Sequence, residues 1–281
     1  MAELADWKER DLGLPREREG LLQKVMEDLL QDPNVLGVFL GGSLAKDNPD
    51  LYSDIDLRVV VAPEQLDRYI RAKKQRPSAW GNVLFYEDIS PGAPFTIAHF
   101  DCFLKVDVFY YKPDDIQPSL WLQHMKIMKD WDGVLERVYE ASGRLQYAPS
   151  LEEVEVWRGK VLAYIGEVYR RVRRKEWFYA LTQINSLCWF IVNGWNMEAD
   201  RMSGGGWDWS KLQGSRSPLE SWQLELLEQW FAPSTAEEMI GVLNGITPEF
   251  LRLNQVLSAR VGLAEEREMC EQVIGSVLGG K

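Results

Sequence analysis

Along the first half of the chain the period of the apolar positions changes several times. In "REREGLLQKVMEDLLQD" the residues Leu21, Leu22, Val25, Met26, Leu29 and Leu30 recur at helical spacing, which predicts an amphipathic helix. Pro33 and Asn34 end that pattern and lead into "VLGVFL", a predicted strand. A polar middle follows, then a second strand, "DIDLRVVV", and a helix opened by Pro63, "PEQLDRYIRAKKQ". "NVLFYEDI", "FTIAHFD" and "FLKVDVFYY" are rich in β-branched and aromatic residues and read as strands, with a turn at "SPGAP". A short element, "SLWLQHMKIMKDWDG", closes this half.

From about Leu151 only the helical period persists. "LEEVEVWRGKVLAYIGEVYRRVRRKEW", "FYALTQINSLCWFIVNG", "PLESWQLELLEQWF", "TAEEMIGVLNG" and "TPEFLRLNQVLSARVG" show no strand alternation. Gly204-Gly205-Gly206 and Pro233 punctuate them. The pattern predicts an α/β (α+β) domain with a mixed sheet over residues 1–148, then an all-α helical-bundle domain over 149–281.

Composition narrows the function classes. Apolar residues make up 46% and charged residues 27%, the balance of a soluble globular protein. No apolar run approaches the roughly 20 residues of a membrane span. The start, "MAELADWKERDLG", lacks an apolar signal core, so a cytoplasmic location is expected. Cys102, Cys188 and Cys270 are odd in number and far apart, which fits a reducing compartment. The two histidines, His99 and His124, argue against a His-based zinc site or a Ser-His-Asp triad. A net charge of −11 disfavours a polynucleotide and favours a cationic small molecule, so neither nucleic acid nor membrane is an expected partner. Oligomeric state is not legible. Twelve tryptophans fit a bulky core or a flat-walled pocket.

The chemistry concentrates in the polar middle. Residues i and i+2 of a strand share a face, so Asp54 and Asp56 stand side by side and call for a cation between them. Carboxylate oxygens of this kind suit Mg²⁺. Asp107, inside "FLKVDVFYY", is a third acid in an apolar strand. If the two strands are neighbours, three carboxylates converge, enough for two metals acting on a phosphoryl group. Gly41, Gly42 and Ser43 follow the first strand, where glycine admits close backbone approach and Ser43 can bond phosphate oxygens. Each piece has a plainer alternative: a tight turn, a solvated strand start, or an ion pair between Asp107 and Lys105. Their combination, with ten residues between Ser43 and Asp54, favours chemistry.

With these residues the sequence resembles the nucleotidyltransferase superfamily that includes DNA polymerase β. Its closest likeness is to bacterial nucleotidyltransferases acting on aminoglycosides or lincosamides. The resemblance rests on Gly42-Ser43, Asp54-Ile55-Asp56 and the "KVDVFY" strand with Asp107, within roughly residues 35 to 110. "IMKDWDGVLERV" is similar to an Asp-x-Asp-Gly turn leading into the helical domain. The resemblance implies Mg²⁺ on Asp54, Asp56 and Asp107, and a nucleoside triphosphate, expected to be ATP, held by Gly42 and Ser43. It further implies transfer of the monophosphate, AMP, to a hydroxyl of a small and possibly polycationic molecule such as an aminoglycoside, releasing pyrophosphate. Asp107 would ligate the second metal or accept the hydroxyl proton; Glu198 and Asp208 are the alternative bases. "NGWNMEADRMSGGGWDWSKL" is a candidate acceptor wall, with Trp207 and Trp209 against a sugar ring and acids pairing with amines. The rival readings are a protein-modifying nucleotidyltransferase of toxin–antitoxin type and a non-catalytic nucleotide-binding module.

Overall fold

The first apolar stripe forms a helix longer than its periodic core, α1 (Asp6–Gln31), which buries Leu14, Leu21, Val25 and Leu29. Residues 6–205, 208–231 and 233–279 are described by this computed structural model, and the chain divides into two units, Met1–Leu145 and Gln146–Lys281.

In the N-terminal unit α1 is followed by β1 (Val35–Leu40), the single-turn α2 (Gly42–Ala45), β2 (Ile55–Val61) and α3 (Leu66–Ala72). Then come β3 (Val83–Glu87), β4 (Phe95–Phe100), β5 (Lys105–Tyr111), β6 (Lys126–Lys129) and α4 (Val134–Gly143). The six strands form one mixed sheet in the order β3-β4-β5-β2-β1-β6. β2 and β5 run parallel, and the other pairs are antiparallel.

Alternation assigns each face. Ile55, Leu57, Val59 and Val61 of β2 and Val106, Val108 and Tyr110 of β5 pack with α1 and with Tyr69 of α3. On the opposite face Phe39 and Val60 pack against Leu135 and Val138 of α4. Asp56, Arg58, Lys105, Asp107 and Phe109 occupy the same face further along and are only partly covered.

β6 falls within the element that the sequence left unassigned. Its four residues are too few to show alternation, yet they pair with β1, Phe39 opposite Ile127. The Asp-x-Asp-Gly turn also departs from expectation, because it leads into α4 of the same unit. Asp130 accepts there from the Leu135 and Glu136 amides, at 2.9 and 3.1 Å, satisfying two free donors of the first turn.

The C-terminal unit contains α5 (Leu151–Arg173), α6 (Trp177–Glu198), α7 (Ser221–Trp230), α8 (Ala236–Val261) and α9 (Arg267–Leu278). Ser150 caps α5 reciprocally: its hydroxyl accepts from the Glu153 amide at 3.1 Å, and Glu153 accepts from the Ser150 amide at 2.8 Å. Two predicted helices merge into α8, which continues through Gly245 and Pro248. A proline inside a helix costs about 3 kcal/mol. Met239, Val242, Leu243, Ile246, Phe250, Leu253 and Leu257 form one unbroken buried stripe across it, enough to offset that cost. α9 has no counterpart among the predicted helices. Trp157, Trp195 and Trp230 belong to this core. Trp209 packs edge-on to Phe231, 5.3 Å between ring centroids, whereas Trp207 lies outside the described residues. Among the described residues no helix is long and apolar enough to cross a membrane.

Gly194 of α6 sets how closely three helices approach. A Cβ there would lie 2.8 Å from Leu253 of α8 and 3.0 Å from Trp157 of α5. Gly194→Leu should therefore overpack this crossing and cost about 1–3 kcal/mol. The check is chemical denaturation: a lower midpoint with a two-state transition is expected, and an unchanged midpoint would show that the helices have room to separate.

Candidate active site

The parallel pairing of β2 with β5 places Asp56 opposite Asp107. Asp54 stands immediately before β2. The Lys105 Nζ lies 2.9 Å from Asp54 Oδ2 and 3.0 Å from both Asp107 oxygens, so these two acids share one ammonium group. Burial works against the charged form of Lys105, but hydrogen bonds to Asp54 and Asp107 outweigh it and push its pKa up to about 12. Asp107 moves above the ordinary carboxylate range because it is buried. The charges of Asp54 and Asp56 add to that shift, and Lys105 only partly opposes it. Asp107 thus makes the ion pair with Lys105 that was its plainer alternative, while standing opposite Asp56 in register.

The glycine turn meets these acids from the other side. The Gly41 amide donates to the Asp56 carbonyl at 2.9 Å, fixing the turn to β2. Gly42 has φ of +58°, and a Cβ there would collide with Asp56 Oδ2 and lie 2.9 Å from its Cγ. Gly41 differs, since a Cβ would meet Asp56 Cβ at an ordinary 3.6 Å. Ser43 is buried in α2, and Lys46 is exposed just after it.

Two arginines escaped the sequence reading. Arg18 of α1 is 6% exposed, and its Nη1 donates to the carbonyls of Asp50 at 3.1 Å and Ser53 at 2.9 Å. It thereby holds the loop that delivers Asp54, a task invisible in sequence because its targets are backbone atoms 32 and 35 residues away. Arg58 follows Asp56 by two residues on the same face, so strand alternation could have found it. Its guanidinium lies 4.0 Å over the Phe109 ring, with Nη2 3.7 Å from Asp56 Oδ1.

The acids considered in the helical unit are otherwise engaged. Glu198 makes two bonds to Arg252, at 2.6 and 2.8 Å, and Asp200 pairs with Arg260. Asp208 accepts from the Ser210 amide at 2.9 Å. His99 stacks on Phe85 and approaches Glu87 at 3.4 Å, a surface arrangement.

As the side chains stand, no three acids, histidines or cysteines among the described residues are gathered into a metal site. Lys105 explains the difference from the expected convergence, because its ammonium supplies the positive charge between Asp54 and Asp107. The donor set nevertheless fits Mg²⁺ in kind: hard carboxylate oxygens on adjoining strands, beside a turn whose missing Cβ leaves room against Asp56.

The mixed sheet thus carries paired acids beside a glycine turn. Residues 22–113 match the family model of the nucleotidyltransferase domain. This stretch, which runs from within α1 to just past β5, is therefore similar to a nucleotidyltransferase domain. No curated protein matches the sequence. Among solved structures, an aminoglycoside 6-adenyltransferase from Bacillus subtilis superposes at 12% identity with a TM-score of 0.43, over 93% of this chain and 97% of that one. A nucleotidyltransferase-like protein from Exiguobacterium sibiricum superposes at 13% identity and a TM-score of 0.40, over 94% of this chain and 80% of that one. At such scores neither likeness carries information on an acceptor.

The two glycines should separate cleanly. Gly42→Ala displaces the Asp56 carboxylate, and misplacement on the scale of an ångström costs about a hundredfold in rate. Gly41→Ala meets only ordinary contacts and should retain most activity; equal losses in paired assays would show that the turn is not matched to Asp56.

Asp107→Asn should raise the melting temperature in metal-free buffer at neutral pH. The folded protein disfavours the Asp107 charge, so the acid contributes most to stability when protonated, and that contribution is lost as pH rises through its raised pKa. The advantage of the variant should shrink as pH falls toward the ordinary carboxyl value of 3.8. Parallel thermal melts across this range test it, and a variant less stable than wild type at pH 7 would contradict it.

Proposed function

We propose that the protein is a Mg²⁺-dependent nucleotidyltransferase that moves a nucleoside monophosphate, AMP in the first instance, from a triphosphate to a hydroxyl of a small molecule. The observation that carries the reading is the Asp56–Asp107 pairing across β2 and β5, with Asp54 at the strand entrance and Gly42 against Asp56. Asp54, Asp56 and Asp107 would hold Mg²⁺, which when bound supplies neutralisation of triphosphate charge and a lowered pKa for an approaching hydroxyl. Lys105 would then leave the space between Asp54 and Asp107 while remaining beside them. Gly42 and Ser43 would seat the β and γ phosphates through close backbone approach and the Ser43 hydroxyl.

Asp107 is the favoured acceptor for the hydroxyl proton. It sits opposite Asp56, beside the acids that would hold Mg²⁺, and because a bound Mg²⁺ would acidify an approaching hydroxyl, a weak base would suffice there. Glu198 is tied to Arg252 by two charge-assisted bonds, which must break before it could act as a base. For the acceptor, a net charge of −11 favours a polycation, and an aminoglycoside is the expected class.

The test is to incubate the purified protein with Mg²⁺ and each of four triphosphates against a panel of aminoglycosides and lincosamides. Pyrophosphate release and a product heavier by one nucleotide are expected with ATP and an aminoglycoside. Asp107→Asn should lose about a hundred- to ten-thousandfold in single-turnover transfer with triphosphate still bound, whereas Glu198→Gln should lose little. The reverse pattern would move the base to the helical unit. Triphosphate binding without any transfer would favour a non-catalytic module.

A further inference from the structure

On the open face of the sheet, strand register sets Arg58 of β2 opposite Phe109 of β5, and Phe109 opposite Phe95 of β4. The three side chains form a continuous stack. The Arg58 guanidinium lies 4.0 Å above the Phe109 ring, and the Phe109 and Phe95 rings are stacked 5.1 Å apart. This row adjoins the row containing Asp56 and Asp107. At its other end Arg58 reaches the glycine turn, since a Cβ on Gly41 would stand 3.9 Å from Arg58 Nη2.

The two cations on this face differ in how fully they are used. Lys105 is taken up by Asp54 and Asp107 at 2.9–3.0 Å. Arg58 donates from Nη1 to the Leu57 carbonyl at 3.3 Å, while Nη2 stands 3.7 Å from Asp56, beyond hydrogen-bond distance. A guanidinium carries five donors in a planar fork that matches phosphate oxygens. Stacking on Phe109 holds the plane of the fork without consuming those donors. Asp56 is close enough to keep the group in place but too far to bond it fully. Such a group is preorganised toward an anion arriving at the glycine turn.

We propose that Arg58 is a triphosphate-binding residue, directing its guanidinium at the phosphates seated by Gly42 and Ser43 and retaining the pyrophosphate that leaves. Phe109 and Phe95 are the shelf that positions it. The inference rests on the nucleotidyltransferase reading above and adds a residue that its motif does not contain. No neutral hydrogen-bond donor could replace it, because both the charge and the fork are used.

The experiment is calorimetric titration of inorganic tripolyphosphate and of ATP, each with Mg²⁺, into wild type, Arg58→Gln and Arg58→Lys. Losing charge-assisted bonds to phosphate should weaken both ligands about ten- to hundredfold in Arg58→Gln. Arg58→Lys, which keeps charge without the fork, should fall between that variant and wild type. Pyrophosphate inhibition of transfer should weaken in the same order, a change that a merely structural residue would not produce. Thermal melts accompany each titration, and if Arg58→Gln does not fold, the lysine variant carries the comparison. If wild type binds tripolyphosphate and transfers nucleotide, but folded variants bind as tightly, Arg58 is not a phosphate ligand and this inference alone falls. If wild type binds neither tripolyphosphate nor any nucleoside triphosphate, the functional reading fails and takes the inference with it.

Discussion

Two like charges are held side by side by a parallel strand pair, and much of the N-terminal unit follows from that constraint. β2 and β5 cannot be joined by a tight turn, so α3, β3 and β4 fill the crossover between them. The alternate residues of both strands are apolar and pack against α1, which fixes the register and leaves Asp56 and Asp107 no other face to occupy. Their repulsion, with that of Asp54, is met by Lys105 from within the same strand. Burial energy on one face of the sheet thus sustains electrostatic strain on the other.

What was legible in the sequence was whatever depends on local period. Alternation around Asp56 and Asp107 gave their strands, and the 3- and 4-residue spacing gave α1, α5 and most of α6. The mixed sheet followed by a helical region is the architecture that those periods implied. Features decided by distant partners were not legible. β6 is too short to alternate and exists because β1 offers it an edge. α8 crosses a Gly-Pro interruption because its buried stripe is continuous in space, although local propensity argues for two helices.

The same division holds within the candidate site. Gly42, Asp54, Asp56 and Asp107 stand out as residue types that fit poorly in an ordinary buried strand or turn. Arg18 and Arg58 do not, because a basic residue on a helix or a half-exposed strand is unremarkable until its neighbours are known. The glycine-rich segment after α6 shows the converse. Its acids and tryptophans stand out in sequence, whereas their partners do not: Glu198, at the end of α6, and Asp200 pair with arginines, and Trp209 packs on Phe231.

The pairing of β6 with β1 also bears on how the N-terminal unit can be divided. The stretch that matches the family model stops at residue 113, before β6 and α4. A fragment ending there would bare one side of β1, a row of unpaired amides and carbonyls along a strongly apolar strand. It would also uncover Phe39 and Val60, which Leu135 and Val138 of α4 now shield. The matched stretch and the compact unit are therefore different lengths of chain, and a fragment that keeps the β1 edge and this core covered must extend through α4, to about residue 145.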